Sequence, residues 1–243
     1  MIKKAQALIL SLLVSAGSFF PLIVQLGCTK ASSFSPPPID QSKYASLEDL
    51  KKSAALGDDN AQYILGTLYA EGKGVPRSST EAFKWFQEAA RKENPYAQLS
   101  VGVAFAKGDG TTQSYSEAIR WFQLAADQGN ASAQYNLALM FENGQGTPQD
   151  FNQAAKWYLL SAEQGNTNAQ LNLGIAYFRG LGVAQDNLNA YVWFTLSANK
   201  GDAQAKKNKD LVKTKMTSQQ IDQGEEIVRN WKPKMKPSFT FGR

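Results

Sequence analysis

The residue types that carry most enzyme chemistry are nearly missing from this chain of 243 residues: histidine is absent and Cys28 is its single cysteine. That removes a Ser-His-Asp triad, a Cys-His pair, histidine acid–base work and histidine-based metal clusters. One cysteine also rules out an internal disulfide. Three other patterns resemble sites. The Gly-x-Gly pairs Gly72/Gly74, Gly108/Gly110, Gly144/Gly146 and Gly180/Gly182 have the look of phosphate-cradling loops. None runs on into Gly-Lys-Ser/Thr and none follows a strand pattern, so helix-capping turns account for them better. Trp85, Trp121, Trp157 and Trp193 could stack on sugars or bases. Each lies at helical spacing beside Phe or Tyr and Ala, the pattern of a packed core. The 21 Asp and Glu residues show no ligand spacing and fall mostly at helix starts or on polar faces. No enzyme activity, cofactor or metal is expected.

The spacing of these residues reveals the elements that hold them. Glycine pairs and tryptophans recur every 36 residues, as do Ala61-Gln62, Ala97-Gln98, Ala133-Gln134 and Ala169-Gln170, with Ala205 one step further. A fixed period in this range marks a stacked repeat array. Each unit reads as two helices. The first is expected to begin at the Ala-Gln pair, to place Ala61, Leu65, Leu68 and Tyr69 on one face, and to end at Gly72. The second opens at an N-cap: Ser78-x-x-Glu81 and Ser114-x-x-Glu117 read as capping boxes, with Asp150-x-x-Gln153 and Asp186-x-x-Asn189 in the same register. It carries Ala82, Trp85 and Phe86 or their equivalents. Gly129, Gly165 and Gly201 are expected to close it in later units, and Asn94-Pro95 in the first. Gly66, Gly102, Ala138 and Gly174 are small where two helices would cross, facing Ala82, Ala118, Ala154 and Ala190.

The series Ala-x-x-x-Leu-Gly-x-x-Tyr, Gly-x-Gly-Val, Ala-x-x-Trp-Phe/Tyr and Ala-Ala-x-x-Gly resembles the Sel-one-like repeat (SLR) family, relatives of the tetratricopeptide repeats. Four copies match, at 61–96, 97–132, 133–168 and 169–204. Ala138 departs from the pattern by replacing Gly, Phe105 and Phe141 by replacing Tyr, and Thr147-Pro148 by replacing Val-Pro. The resemblance implies an all-α, right-handed α/α solenoid. Secreted members of one bacterial branch carry a disulfide in each repeat; this chain has none, and the β-lactam-related activity proposed there is not carried over.

Around the repeats the chain divides into further parts. Lys3 and Lys4 precede an uncharged run ending at Cys28, which reads as an export signal over 1–28. Leu26-Gly27-Cys28 resembles a bacterial lipoprotein cleavage box, although Gln25 stands where an aliphatic residue is usual. Cleavage near Ala16 or Gly17 and an uncleaved anchor are the rival readings. Residues 29–43, with Pro36-Pro37-Pro38, read as a disordered linker. The solenoid is expected over 44–231, with a front cap helix at 44–57 and C-terminal cap helices at 205–231. A basic flexible tail follows at 232–243. From Lys206 onward ten Lys/Arg stand against four Asp/Glu, so the basic charge is concentrated at the C-terminal end.

Positions that vary between copies cluster on one side of the first helix. They include Tyr63, Leu99, Tyr135 and Leu171; Thr67, Val103, Leu139 and Ile175; Ala70, Ala106, Glu142 and Phe178; and Glu71, Lys107, Asn143 and Arg179. Related arrays line a concave face with that side. The expected groove residues are Tyr63, Leu99, Val103, Tyr135, Leu139, Leu171, Ile175, Phe178 and Arg179, forming an outward apolar strip with a charged rim; the rival reading is that some of them touch the neighbouring repeat or are covered by linker or tail. The function this implies is a protein-binding adaptor or scaffold of the bacterial envelope or host interface, exported and held at a membrane through lipidated Cys28. Nucleic acid is not an expected partner. A regulator or enzyme acting at peptidoglycan is the alternative; it would lose turnover on a single carboxylate change. Acidic-lipid or polyanion contact through the C-terminal lysines is another, and it would show strong salt dependence.

Overall fold

The computed structural model describes residues 44–234, so the expected signal, Cys28, the linker and the last nine residues lie outside the described part. Within it the chain forms eleven helices: α1 (Leu47–Ala55), α2 (Asp59–Glu71), α3 (Ser79–Arg91), α4 (Pro95–Lys107), α5 (Tyr115–Asp127), α6 (Ala131–Asn143), α7 (Phe151–Glu163), α8 (Thr167–Arg179), α9 (Asn187–Ala198), α10 (Ala203–Lys213) and α11 (Ser218–Asn230). No strand occurs among the described residues. Consecutive helices pack as hairpins, α2 with α3 through α8 with α9, and each second helix packs on the first helix of the next hairpin. This is the expected solenoid. The terminal helix breaks the pattern: α11 packs on α9 rather than forming a hairpin with α10.

The first helices begin two residues before the Ala-Gln pairs. Their N-caps are Asp58, Asn94, Asn130, Asn166 and Asp202, whose side chains accept from the N–H of Ala61, Ala97, Ala133, Ala169 and Ala205. An Asx oxygen bonded to the third N–H satisfies one of the orphan donors of the first turn. Asn94-Pro95 therefore opens α4 instead of closing α3. The left-handed residue after α3 is Glu93, at φ 64°, where Gly57, Gly129, Gly165 and Gly201 stand in the other turns. The caps of the second helices lie at Ser78, Ser114, Asp150 and Asp186 as expected. The return half of the expected boxes is replaced by ion pairs, Glu81 with Lys84 at 2.7 Å and Glu117 with Arg120 at 2.9 Å. A full capping box forms at Thr217 and Gln220.

The two glycines of each pair do different work. Gly72, Gly108, Gly144 and Gly180 are left-handed C-caps. The second glycine, also at positive φ, lies against the start of the preceding repeat's second helix. A Cβ on Gly146 would sit 2.7 Å from the Tyr115 carbonyl carbon, and one on Gly182 would overlap the Phe151 backbone. Gly74 has no preceding hairpin, and nothing lies within 4 Å of the same point.

Inside each hairpin an aromatic ring rests on the small residue of the first helix. A Cβ on Gly66, Gly102 or Gly174 would fall 2.6–2.7 Å from the ring of Phe86, Phe122 or Phe194. The glycine therefore meets mainly this ring, one turn beyond the expected alanine. Trp121 and Trp193 are buried, while Trp85 and Trp157 are half-buried and packed against the core clusters. Between repeats, the buried glutamines Gln62, Gln98, Gln134 and Gln170 donate Nε2 to the carbonyls of Ala54, Ala90, Ala126 and Ala162 at 3.0–3.4 Å. This bond satisfies a helix-end carbonyl that would otherwise be buried and unpaired. It explains why the recurring pair is Ala-Gln.

The two ends are closed differently. Leu50 and Ala54 of α1, with Tyr44 and Leu47, cover Ala61, Ile64 and Leu65. At the back, Ile221 packs beside Tyr191, Phe194 and Val212, and Val228 and Trp231 pack with Val192, Trp193 and Leu196. The chain then turns back to α7. The Lys234 N–H donates to the Glu163 carbonyl at 2.8 Å and its Nζ to the Glu163 carboxylate at 2.6 Å. The expected flexible tail is thus anchored at least through Lys234.

Gly182→Ala and Gly74→Ala both force a left-handed alanine, which costs about 1–2 kcal/mol. Only the first also meets backbone. Urea unfolding should show Gly182→Ala losing clearly more stability than Gly74→Ala; equal losses would remove the inter-repeat contact from the account.

Candidate functional site

The varied side of helices α2, α4, α6 and α8 carries the expected groove residues. Tyr63, Leu99, Val103, Tyr135, Leu171, Ile175 and Phe178 are half-buried, and Arg179 is exposed. Leu139 is a correction: it is 8% exposed and belongs to a core cluster with Ala138, Tyr158 and Trp193. The others dip into separate seams instead of forming one outward strip. Tyr63 packs with Val101 and Phe86, Leu99 and Val103 with Phe122 and Leu137, and Leu171, Ile175 and Phe178 with Tyr191 and Phe194. The reason is the packing itself: the second helix of the same hairpin, with side chains of the next repeat such as Val101 and Leu137, covers part of this face. At the last first helix the cover stops. Leu211, one repeat step beyond Ile175, is 52% exposed. The 36-residue period could have found it, because it continues the series Val103, Leu139, Ile175. Beside it, the Lys215 ammonium lies 4.9 Å from the Phe178 ring centre, within cation–π range.

Repeat three departs from the others at the floor of this face. Ala138 supplies the Cβ that the glycines of its siblings lack, and the ring opposite is Tyr158 instead of Phe. The Tyr158 hydroxyl donates to Glu142 Oε2, and Asn172 Nδ2 donates to that hydroxyl at 3.0 Å. The Tyr135 ring lies 5.9 Å from the Tyr158 ring. Burial, with the Glu142 charge nearby, pushes the Tyr135 phenol up to about 12. Burial, then the charge and hydrogen bond of Glu142, hold Tyr158 well above its ordinary value. Both therefore stay protonated, and Tyr158 serves as a donor. Glu142, Tyr158 and Asn172 line a small pocket with Ile175, Phe151 and Leu181. One repeat earlier the equivalent asparagine, Asn136, is 5% exposed and its Oδ1 has no hydrogen-bond partner; Phe122, at the Tyr158 position, offers its amide no hydroxyl to donate to.

Among the described residues no group of His, Cys, Asp and Glu could hold a metal, and no helix is long and apolar enough to cross a membrane.

The comparisons fit this architecture. The family model for the Sel1 repeat matches residues 59–94, 95–130, 131–166 and 167–202, beginning two residues earlier than the sequence period suggested and in step with the Asx caps. The chain belongs to the Sel1-repeat family. A solved protective antigen of uropathogenic Escherichia coli with an SLR fold is 33% identical, with a TM-score of 0.69 over 76% of this chain. This chain spans only 40% of that protein's length. A Sel1 repeat protein from Oxalobacter formigenes is 32% identical, with a TM-score of 0.65 over 75% of this chain and 77% of the other. No curated protein matches the sequence. Sel1-repeat proteins are in general non-enzymatic scaffolds for protein interaction.

The burial difference gives a direct check. Leu139→Glu places an uncompensated charge in the core and should lower stability by about 3 kcal/mol or more. Leu211→Glu at the exposed end should change it by less than about 0.5 kcal/mol. Thermal melts of the two variants that coincide would show that Leu139 is not held in the core.

Proposed function

We propose that this Sel1-repeat chain is an exported envelope scaffold that binds a partner protein along the face formed by its first helices. The observation that carries the reading is the apolar series at one position of successive repeats, Val103 and Ile175 half-buried and Leu211 exposed. Leu211 left open beside Lys215, with Val103 and Ile175 partly accessible beside Lys107 and Arg179 and Leu139 buried between them, fits a groove for a peptide or helix, in which a few apolar anchors supply most of the binding energy. Helices held in place by buried glutamine bonds and ring-on-glycine contacts present such anchors without reordering, which favours binding.

Capture of partners from envelope extracts by the full chain tests this. Leu211→Glu combined with Ile175→Ala should fold and lose partners that the wild type retains. Lys232→Gln with Lys234→Gln should keep them. Partners retained by the first variant and lost by the second would move the binding surface to the C-terminal lysines.

The same proposal places the scaffold at a membrane through lipidated Cys28. The support is sequence-level: a basic start, an uncharged run and the single cysteine at the end of that run. Cys28→Ser should abolish incorporation of a fatty-acid analogue and release the protein from the membrane fraction. An unlabelled wild type would remove the anchor.

A further inference from the structure

Glu142 stands at a position that holds Ala70, Ala106 and Phe178 in the other repeats. It is half-buried, and it enters no ion pair among the described residues, although Lys107 and Arg179 lie one position further on in the neighbouring first helices. Its surroundings are apolar on most sides: Phe151, Ile175 and Leu181 line the same small pocket. A carboxylate in such a place is costly unless its charge is answered.

The protein answers part of it. Tyr158 is 2% exposed, and Asn172 Nδ2 occupies the acceptor side of its hydroxyl, so the hydroxyl proton points to Glu142 Oε2. This fixes the carboxylate with one oxygen bonded and the other available. The arrangement depends on repeat three alone. The siblings of Ala138 are glycines on which a Phe ring rests within 2.6–2.7 Å of the missing Cβ. Ala138 carries a Cβ where its siblings leave a seat for the ring, and only the ring opposite it carries a hydroxyl, which reaches Glu142.

We propose that Glu142 is the recognition group of the groove and that the bound partner segment presents a lysine or arginine side chain to it, flanked by apolar residues. The inference rests on the groove reading above and deepens it. The missing counter-charge is the reason for the choice. A cationic side chain supplies charge-assisted hydrogen bonds to the free carboxylate oxygen, whereas an acidic segment would meet repulsion at the floor of the groove. Tyr158 and Asn172 are positioning residues that hold the carboxylate for this contact.

Short random peptides displayed on phage, selected on the full chain in detergent and on Glu142→Gln, give the test. Peptides retained by the wild type should be enriched in Lys or Arg among apolar residues, and those retained by the variant should not. A selected arginine peptide remade with citrulline, which keeps the shape and loses the charge, should bind the wild type roughly tenfold more weakly. Both versions should bind the variant equally. Glu142→Ala, which matches repeats one and two, replaces Gln if that variant melts early. Peptides enriched in acidic residues, or no effect of citrulline, would overturn the carboxylate's role and leave the groove standing. Retention of no peptide by wild type or variant would overturn the groove reading, and this inference with it.

Discussion

An aromatic ring seated where a Cβ is missing sets the spacing of three of the four hairpins. Phe86, Phe122 and Phe194 lie so close to Gly66, Gly102 and Gly174 that any side chain there would meet the ring at 2.6–2.7 Å. The close approach lets the small faces of the two helices bury one another, and alanines such as Ala118 and Ala190 reach 0% exposure. Neither helix has enough apolar surface to stand alone, so the hairpin and its neighbours fold as a coupled array.

A second set of contacts turns hairpins into a solenoid. The buried glutamine of each first helix bonds to the end of the second helix before it, and the second glycine of each turn lets the next repeat press on backbone. The hydrogen bond is directional and the glycine contact admits no side chain, so together they constrain how one repeat sits on the next. They also explain how the repeats vary in surface without losing their stacking. The joints use one helix face and the backbone, leaving the remaining side of the first helix free to differ.

That freedom is used most in repeat three. Ala stands at 138 where the other repeats have Gly, and Tyr at 158 in place of Phe gives the ring opposite a hydroxyl. The result is a polar triad of Tyr158, Glu142 and Asn172 in an otherwise apolar face. This local exception is where the proposed partner contact falls, since the regular positions are committed to holding the array together.

The period, the helix pairs, the glycine caps and the end helices were all legible in the sequence, because a stacked array repeats the same local demands every 36 residues. Of the helix starts in the repeats, those of the first helices alone were not legible: they fall two residues before the Ala-Gln pairs, and Asp58, Asn94 and their siblings look like ordinary turn residues until their oxygens are seen on the Ala N–H groups. The role of Gln62 and its equivalents was hidden for a related reason: its partner carbonyl belongs to a different helix. The burial of the proposed binding face was legible only in outline. Periodicity shows which side of a helix varies, but not how much of that side the next repeat covers. Stacking placed Leu139 in the core, left Leu211 open where the array ends, and brought Glu142 of one helix to Tyr158 of the next and Asn172 of the one after. Such contacts depend on the rotation and distance between helices, which are set by side-chain volumes acting together across the seam.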